Sequence, residues 1–186
     1  MTETISSRPA RGQPSNRRHN HKRGVMKFTE WKQKAMDMMI ADEKLVKLLK
    51  YDTEDALFKP NVSKEEAEKL INSRIFGYRY NAETVKETIS FIGMGLANFV
   101  PQEGFRQFSD DYIMGYMYFY ILVDTEIMRT ETGYRQDLIL DRIYEIFIES
   151  RGFGMGELKL ETCLELWQHN NKFGGYTVGF RVVEMK

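Results

Sequence analysis

Residues 112 to 123 read Tyr-Ile-Met-Gly-Tyr-Met-Tyr-Phe-Tyr-Ile-Leu-Val, the most apolar stretch of the chain. The run is about a dozen residues long, well short of the roughly 20 that a membrane-spanning helix needs. In a strand, alternate side chains point to opposite faces. One face would carry Tyr112, Met114, Tyr116, Tyr118 and Tyr120, and the other Ile113, Gly115, Met117, Phe119 and Ile121. Since neither face is strongly polar, we expect a β-strand with both faces covered.

Further strand patterns lie on both sides of this run. Residues 87 to 100 mix β-branched and aromatic residues up to Pro101, which predicts a strand followed by a loop over residues 101 to 110. Residues 157 to 168 alternate leucines with mainly polar residues, which predicts a strand with one buried face. Residues 170 to 175, Asn-Asn-Lys-Phe-Gly-Gly, favour a hairpin turn, after which residues 176 to 184 return antiparallel.

A helix is predicted between the two pairs of strands, starting after Thr132-Gly133 and reaching about Ser150. The apolar residues that share one face at helical spacing are Ile139, Ile143, Ile146 and Phe147. We expect Gly152 to end this helix, because glycine adopts the left-handed conformation of a helix C-terminus at little cost.

The N-terminal part shows helical patterns. Thr29 is predicted to cap a helix that contains Trp31, and Asp42 to cap a second helix from Glu43. Ser63 and Glu66 form a capping-box pattern that starts a helix over residues 64 to 73. The predicted fold class is therefore α+β, with N-terminal helices followed by a β-β-α-β-β unit that forms a mixed or antiparallel sheet packed on helices.

The chain has 186 residues, enough for one sizeable core and short for two. Residues 1 to 24 are rich in proline, glycine, serine and asparagine and offer almost nothing apolar to bury, which predicts a disordered arm. We therefore expect a disordered arm over 1–24, a helical segment over 25–76 and the β-β-α-β-β core over 77–186, with 25–186 forming one domain.

The arm is basic although the whole chain has a formal net charge of zero. Its six basic residues and Glu3 give a net charge of +5, which leaves −5 on the rest. Such a segment can neutralise DNA phosphates or dock on an acidic protein surface, and charge pattern alone does not distinguish these partners. The candidate contact residues are Arg8, Arg11, Arg17, Arg18, Lys22 and Arg23.

No pattern in the sequence indicates catalysis, a cofactor or a metal. The glycines of residues 151 to 156 follow a predicted helix and precede a predicted strand, the reverse of a phosphate-binding loop. Two of the three histidines lie in the arm, which leaves too few fixed ligands for a metal site. Cys163 is the sole cysteine and has no histidine near it in sequence, so we expect neither a thiol nucleophile nor a disulfide. We expect a non-enzymatic protein of a reducing compartment, with no membrane partner.

The tyrosines of residues 112 to 120 also suggest a platform on which nucleic-acid bases stack. Such platforms need arginine or lysine residues to hold the nucleic-acid backbone. The strand itself contains none. We therefore interpret the tyrosines as sheet packing or as a contact between subunits.

Three groups of residues carry a resemblance to known phage proteins. The first is Leu48-Leu49-Lys50-Tyr51 followed by Asp55-Ala56-Leu57-Phe58-Lys59-Pro60, and the second is Gly133-Tyr134-Arg135 with Asp137 and Ile139. The third is residues 152 to 158 followed by Gly174-Gly175-Tyr176-Thr177. In this order, over a β-β-α-β-β pattern, they resemble the neck and tail-terminator-like proteins of tailed bacteriophages from Asp42 onward.

The resemblance implies a structural virion protein that is assembled in the host bacterial cytoplasm. Such proteins form a homo-oligomeric ring, here expected to have six copies, at the head-tail junction between the tail tube and the connector or adaptor proteins. β-Structure of adjacent subunits meets in rings of this kind. The implied interface residues are Tyr112, Tyr116, Tyr118, Tyr120, Trp167, Phe173 and Tyr176.

Two alternatives stay open. One is another neck component, such as a head-completion or adaptor ring. The other is a nucleic-acid-binding module that uses the basic arm.

Overall fold

The computed structural model describes residues 27–80, 82, 85–101 and 112–185. The predicted arm and nearly all of the predicted loop after Pro101 lie outside these residues. The helices are α1 (Phe28–Ala41), α2 (Glu43–Lys50), α3 (Lys64–Glu68) and α4 (Arg135–Phe147), with short 3-10 helices at Ala56–Phe58 and Thr125–Ile127. The strands are β1 (Ile75–Phe76), β2 (Ser90–Pro101), β3 (Tyr112–Asp124), β4 (Arg129–Thr130), β5 (Gly133–Tyr134), β6 (Lys159–Gln168) and β7 (Phe173–Met185).

A five-stranded mixed sheet in the order β1-β2-β3-β7-β6 forms the centre of the fold. β1 runs parallel to β2, and the other neighbours are antiparallel. β3, the tyrosine-rich strand, pairs with β7 from Tyr112 opposite Met185 to Asp124 opposite Phe173. The predicted α+β class is confirmed, with β4 and β5 forming a separate small hairpin just before α4.

One face of the sheet, which we call the helix face, packs against the helices. From β3 it contributes Ile113, Met117, Phe119 and Ile121, all buried. Met117, Phe119 and Ile121 belong to one core with Trp31 of α1, Leu49 of α2 and Phe147 of α4 among others. The Phe119 and Phe147 rings stack with their centroids 4.4 Å apart. Burial of this apolar surface is the main force that holds the helices on the sheet.

The opposite face, which we call the tyrosine face, is covered at one end. There the chain segment after β1 packs on the sheet in a second cluster. Its buried members are Phe76, Ala82, Val85, Ile89, Phe91, Leu122 and Phe173. The tyrosines of β3 lie beyond this cluster and are only partly buried. The prediction that both faces are covered is therefore wrong for much of this face, as far as the described residues reach.

Several predicted boundaries agree with the structure and others need correction. Asp42 caps α2 through the Leu45 N–H, and Ser63 and Glu66 form the capping box of α3. Thr29 lies inside α1 instead of capping it, and α3 ends at Glu68.

The end of α4 was also predicted incorrectly. The helix ends at Phe147, because the chain turns at once to exchange hydrogen bonds with the segment that leads into β6. The Glu149 N–H donates to the Leu158 carbonyl, and the Leu158 N–H donates to the Ser150 carbonyl. Gly152 adopts a left-handed conformation, but in the loop that follows.

The hairpin between β6 and β7 is confirmed, but its turn lies earlier than predicted. Three consecutive residues with left-handed backbone form the turn: His169, Asn170 and Asn171. Gly174 and Gly175, which the sequence pattern places in the turn, belong to β7, where Gly175 faces the Ile121 carbonyl so closely that a Cβ would clash with it.

Arg135, the first residue of α4, is fully buried and joins four separate chain positions. Its guanidinium donates to the carbonyls of Leu48, Tyr51, Thr53 and Ile127 at 2.7–2.9 Å. The Leu48 carbonyl belongs to the last turn of α2, where carbonyls lack helical partners and the helix dipole favours positive charge. Burial lowers the pKa of this guanidinium, and Asp52 opposes that shift.

A second arginine of α4 holds the other end of α2. Arg142 contacts both carboxylate oxygens of Asp42, at 3.2 Å from Nε and 2.6 Å from the terminal nitrogen. The same carboxylate caps α2 by accepting from the Leu45 N–H. Since Arg135 and Arg142 are two helical turns apart, they hold the two ends of α2 antiparallel to α4.

Replacement of Arg135 by methionine is expected to lower the free energy of unfolding by about 3–5 kcal/mol, because the carbonyls of Tyr51, Thr53 and Ile127 would lose this donor and that of Leu48 would keep only the Ser90 hydroxyl. Lysine should not restore it, since it lacks the planar fork of five N–H donors. Urea denaturation followed by circular dichroism measures the change. Arg129→Met, at an exposed arginine, is the control and should stay within about 0.5 kcal/mol of the wild type. A wild-type midpoint for Arg135→Met would contradict the assigned role.

Candidate assembly surface

β6 is an edge strand of the sheet, with β7 on one side and no described strand on the other. Along its ten residues, the backbone N–H and C=O groups that point away from β7, those of alternate residues, therefore have no strand partner in the described part of the chain. Natural edges are usually short or covered, because an open edge can pair with another chain. The length of β6 makes it the first candidate for contact with a partner.

The edge also exposes apolar side chains on both faces of the sheet. Leu160 and Trp167 lie opposite Phe180 and Gly174, on the helix face, and are 39% and 47% exposed. Leu164 lies opposite Thr177, on the tyrosine face, and is 62% exposed. An exposed apolar group of this kind next to an open strand edge is typical of a protein interaction site.

These exposed leucines contradict the predicted buried face of β6. The register between β6 and β7 shifts between Leu160 and Thr162, so the leucines on either side of this bulge point to opposite faces. α4 packs on β3 and β7 and leaves β6 largely uncovered. An alternating pattern identifies a strand but does not show that it lies at the edge of the sheet.

On the tyrosine face, the side chains of β3 form a row of aromatic rings. The Tyr116 and Tyr118 centroids are 5.8 Å apart, and those of Tyr118 and Tyr120 are 6.3 Å apart. Gly95 and Gly179 flank Tyr118 in the neighbouring strands. A Cβ at either glycine would meet a tyrosine ring at 3.4 Å or less, so the rings lie close to the strand backbones.

Basic side chains reach this row from other parts of the chain. The Arg79 guanidinium lies 5.1 Å from the centre of the Tyr120 ring. Arg181 of β7 is the neighbour of Tyr116, and Lys159 of β6 is the neighbour of Arg181. Arg181 is also paired with Glu161 at 3.1 Å. The sequence of β3 does not indicate these cations, because they come from residues distant in the chain.

The structure separates the seven predicted interface residues. Tyr112, Tyr116, Tyr118 and Tyr120 lie on the tyrosine face, and Trp167 lies at the β6 edge. Phe173 is fully buried in the second cluster, so its prediction as a surface contact is wrong. Tyr176 lies on the helix face, where its hydroxyl donates to Asp137 of α4 at 2.8 Å. The six basic residues predicted for DNA or an acidic partner lie outside the described residues.

The other positions considered for chemistry are placed as follows. Within the described residues, no group of three or more histidine, cysteine or acidic residues is arranged to hold a metal ion. Burial raises the pKa of the Cys163 thiol, which disfavours the thiolate. The glycines of residues 152 to 156 have left-handed backbone in the loop between α4 and β6.

The described helices include none that is both long and apolar enough to cross a membrane.

Comparison with protein families matches residues 42–182 to a family model described as YomW. The chain belongs to the YomW family. The family is associated with phages, through genes like those of Bacillus phage SPbeta. No curated protein and no solved structure matches the chain. The predicted relationship to phage proteins is thus confirmed to the extent that the family is associated with phages.

The YomW region begins at Asp42, the residue that caps α2 and pairs with Arg142. It spans α2, the Arg135 contacts and nearly the whole sheet, including all of β6. α1 and the basic arm precede it. The candidate assembly surface on β6 therefore belongs to the part of the chain that defines the YomW family.

The hydrogen bond between Tyr176 and Asp137 makes the stability of this protein depend on pH in the alkaline range. This bond raises the pKa of Tyr176 to about 12 from an ordinary value of 10.0. The bond's contribution to stability is therefore fully present below pH 10 and is lost as pH rises toward 12. When the pH is raised from about 9 to about 11, the free energy of unfolding of Tyr176→Phe should fall less than that of the wild type. Urea denaturation at each pH measures this free energy. Tyr144→Phe, at an exposed tyrosine, should behave as the wild type, and equal losses in all three proteins would contradict the assignment.

Proposed function

We propose that this chain is a structural protein of a tailed-phage virion that forms a homo-oligomeric ring in the neck, at the head-tail junction. The single observation that carries the proposal is the open edge of β6, with exposed apolar residues on both of its faces. In a monomer, this edge would leave its backbone groups and apolar side chains exposed to water. In an assembly, the same edge can pair with and be buried by a neighbouring subunit. The ring is proposed to have six copies.

In this proposal β6 of each copy contacts a different surface of the next copy. A head-to-tail contact of this kind leaves each subunit with one free donor surface and one free acceptor surface, so addition continues until the ring closes. Leu160, Leu164 and Trp167 would lose their exposed apolar area in the contact, and the outward backbone groups of β6 would gain partners.

The ring acts by assembly and docking and not by catalysis. Its proposed partners are further copies of itself, the tail tube and the connector or adaptor proteins. Its two ends would offer these partners different surfaces, because all subunits of a head-to-tail ring point the same way. The proposed location is the virion neck, after assembly in the host cytoplasm.

Leu164→Glu and Trp167→Glu test this proposal because each places a charge on the exposed edge. Leu164 belongs to neither buried cluster, whereas the Trp167 ring lies over the buried Gly174, so Leu164→Glu changes the edge with the least effect on packing. The full-length variants are expected to fold as the wild type does and to dissociate from the oligomer to the monomer, with the association weakened at least about tenfold. Sedimentation velocity over a range of protein concentrations measures the mass.

Phe58→Glu is the matched control. Phe58 is 68% exposed but lies in the short 3-10 helix that packs on α2. This variant should retain the wild-type mass. A wild-type protein that stays monomeric both alone and with tail-tube protein, or edge variants that still assemble, would contradict the proposal.

A further inference from the structure

We infer that the tyrosine face binds single-stranded nucleic acid, with bases stacked on the Tyr116, Tyr118 and Tyr120 rings. This inference goes beyond ring formation and does not depend on it. It rests on the juxtaposition of an aromatic row with Arg79, Arg181 and Lys159, which come from three other parts of the chain.

The aromatic row has the geometry that base stacking needs. Its rings follow one another at 5.8 and 6.3 Å along one strand. A base can cover a ring from the solvent side, because the other side of the row is close to the glycine backbones of β2 and β7. The Asn98 side-chain amide donates to the Tyr118 hydroxyl at 3.3 Å and helps to fix that ring. Three successive rings correspond to about two or three nucleotides, as in other sheet platforms.

The charges around the row fit a phosphate backbone. Arg79 lies at the Tyr120 end, on the β2 side, whereas Arg181 and Lys159 lie at the Tyr116 end, on the β7 and β6 side. A strand that crosses the sheet diagonally over Tyr118 would meet a cation at each end. Glu161 offsets one of these charges through its pair with Arg181, so these four side chains together keep a net charge of two positive units.

Single-stranded nucleic acid fits this surface better than a duplex does. Aromatic rings stack only on bases that are free of neighbours on at least one side, and duplex bases already stack on one another. A surface that binds by charge alone would instead bind the duplex more tightly than the single strand, since a duplex has the higher phosphate density. The preference between the two forms therefore separates stacking on the tyrosine face from binding by basic residues alone.

The test measures fluorescence anisotropy of a fluorescein-labelled oligothymidine with the full-length protein and its variants. Tyr118→Leu removes one ring and keeps an apolar side chain, and we expect it to weaken binding by about 5- to 100-fold. Tyr144→Leu, on the exposed side of α4, is the control and should bind as the wild type does. All variants retain residues 1 to 24, so any binding by the basic arm is the same in each.

A second pair of variants tests the cation and does not depend on the first. Arg79→Gln should weaken binding, whereas Arg129→Gln removes the same charge from another exposed arginine and should leave the affinity close to wild type. The wild type should also prefer the oligothymidine to a duplex with the same number of phosphates.

Equal affinities within each pair of variants, or a preference for the duplex, would overturn the inference. It would also be overturned if Tyr118→Leu abolished the oligomer in sedimentation velocity and left nucleic-acid binding unchanged, because the face would then be a contact between copies. If circular dichroism shows that Tyr118→Leu does not fold, the Arg79→Gln and Arg129→Gln pair decides the outcome.

Discussion

The buried guanidinium of Arg135 is the interaction on which the arrangement of the helices depends. Among the described residues this charged group has no direct carboxylate partner, and the four backbone carbonyls that it binds offset its desolvation. Three of these carbonyls lie at or just after the end of α2, and the fourth precedes the β4-β5 hairpin. With Arg142 on Asp42, α4 holds α2 at both ends, and both helices pack on the same face of the sheet.

This interaction also explains why two separated sequence motifs occur together. The Leu48-Tyr51 motif supplies carbonyls, and the Gly133-Arg135 motif supplies the guanidinium that binds them, more than 80 residues later. The sequence shows both motifs and their order. It does not show that they meet, because backbone carbonyls are present at every residue and leave no compositional signal.

The sequence predicted elements well where the pattern is local. The alternation in β3, the apolar stripe of α4 and the capping box at Ser63 each depend on residues within a few positions of one another, and each is present in the structure. The candidate site was harder to predict. The exposure of Leu160 and Leu164 depends on a one-residue bulge and on the position of β6 at the sheet edge, while the burial of Phe173 depends on the segment that folds over from β1. These are consequences of topology, which local periodicity does not contain.

The two proposed uses of the sheet involve different parts of it. The β6 edge offers backbone groups and apolar side chains to a neighbouring copy, whereas the tyrosine face offers rings and cations to a flexible anionic strand. Leu164 lies near both, since it projects from the edge strand onto the tyrosine face. A ring built through β6 would repeat the tyrosine face in every subunit, with the same orientation in each.

Amide hydrogen exchange of residues 159 to 168 shows whether β6 is the contact between copies. The full-length chain would be compared at a concentration at which it is assembled and at one at which it is dilute. The outward amides of β6 are expected to become protected on assembly, while those of the central strand β3 are protected under both conditions. Rapid exchange of every outward β6 amide in the assembled protein would contradict this expectation.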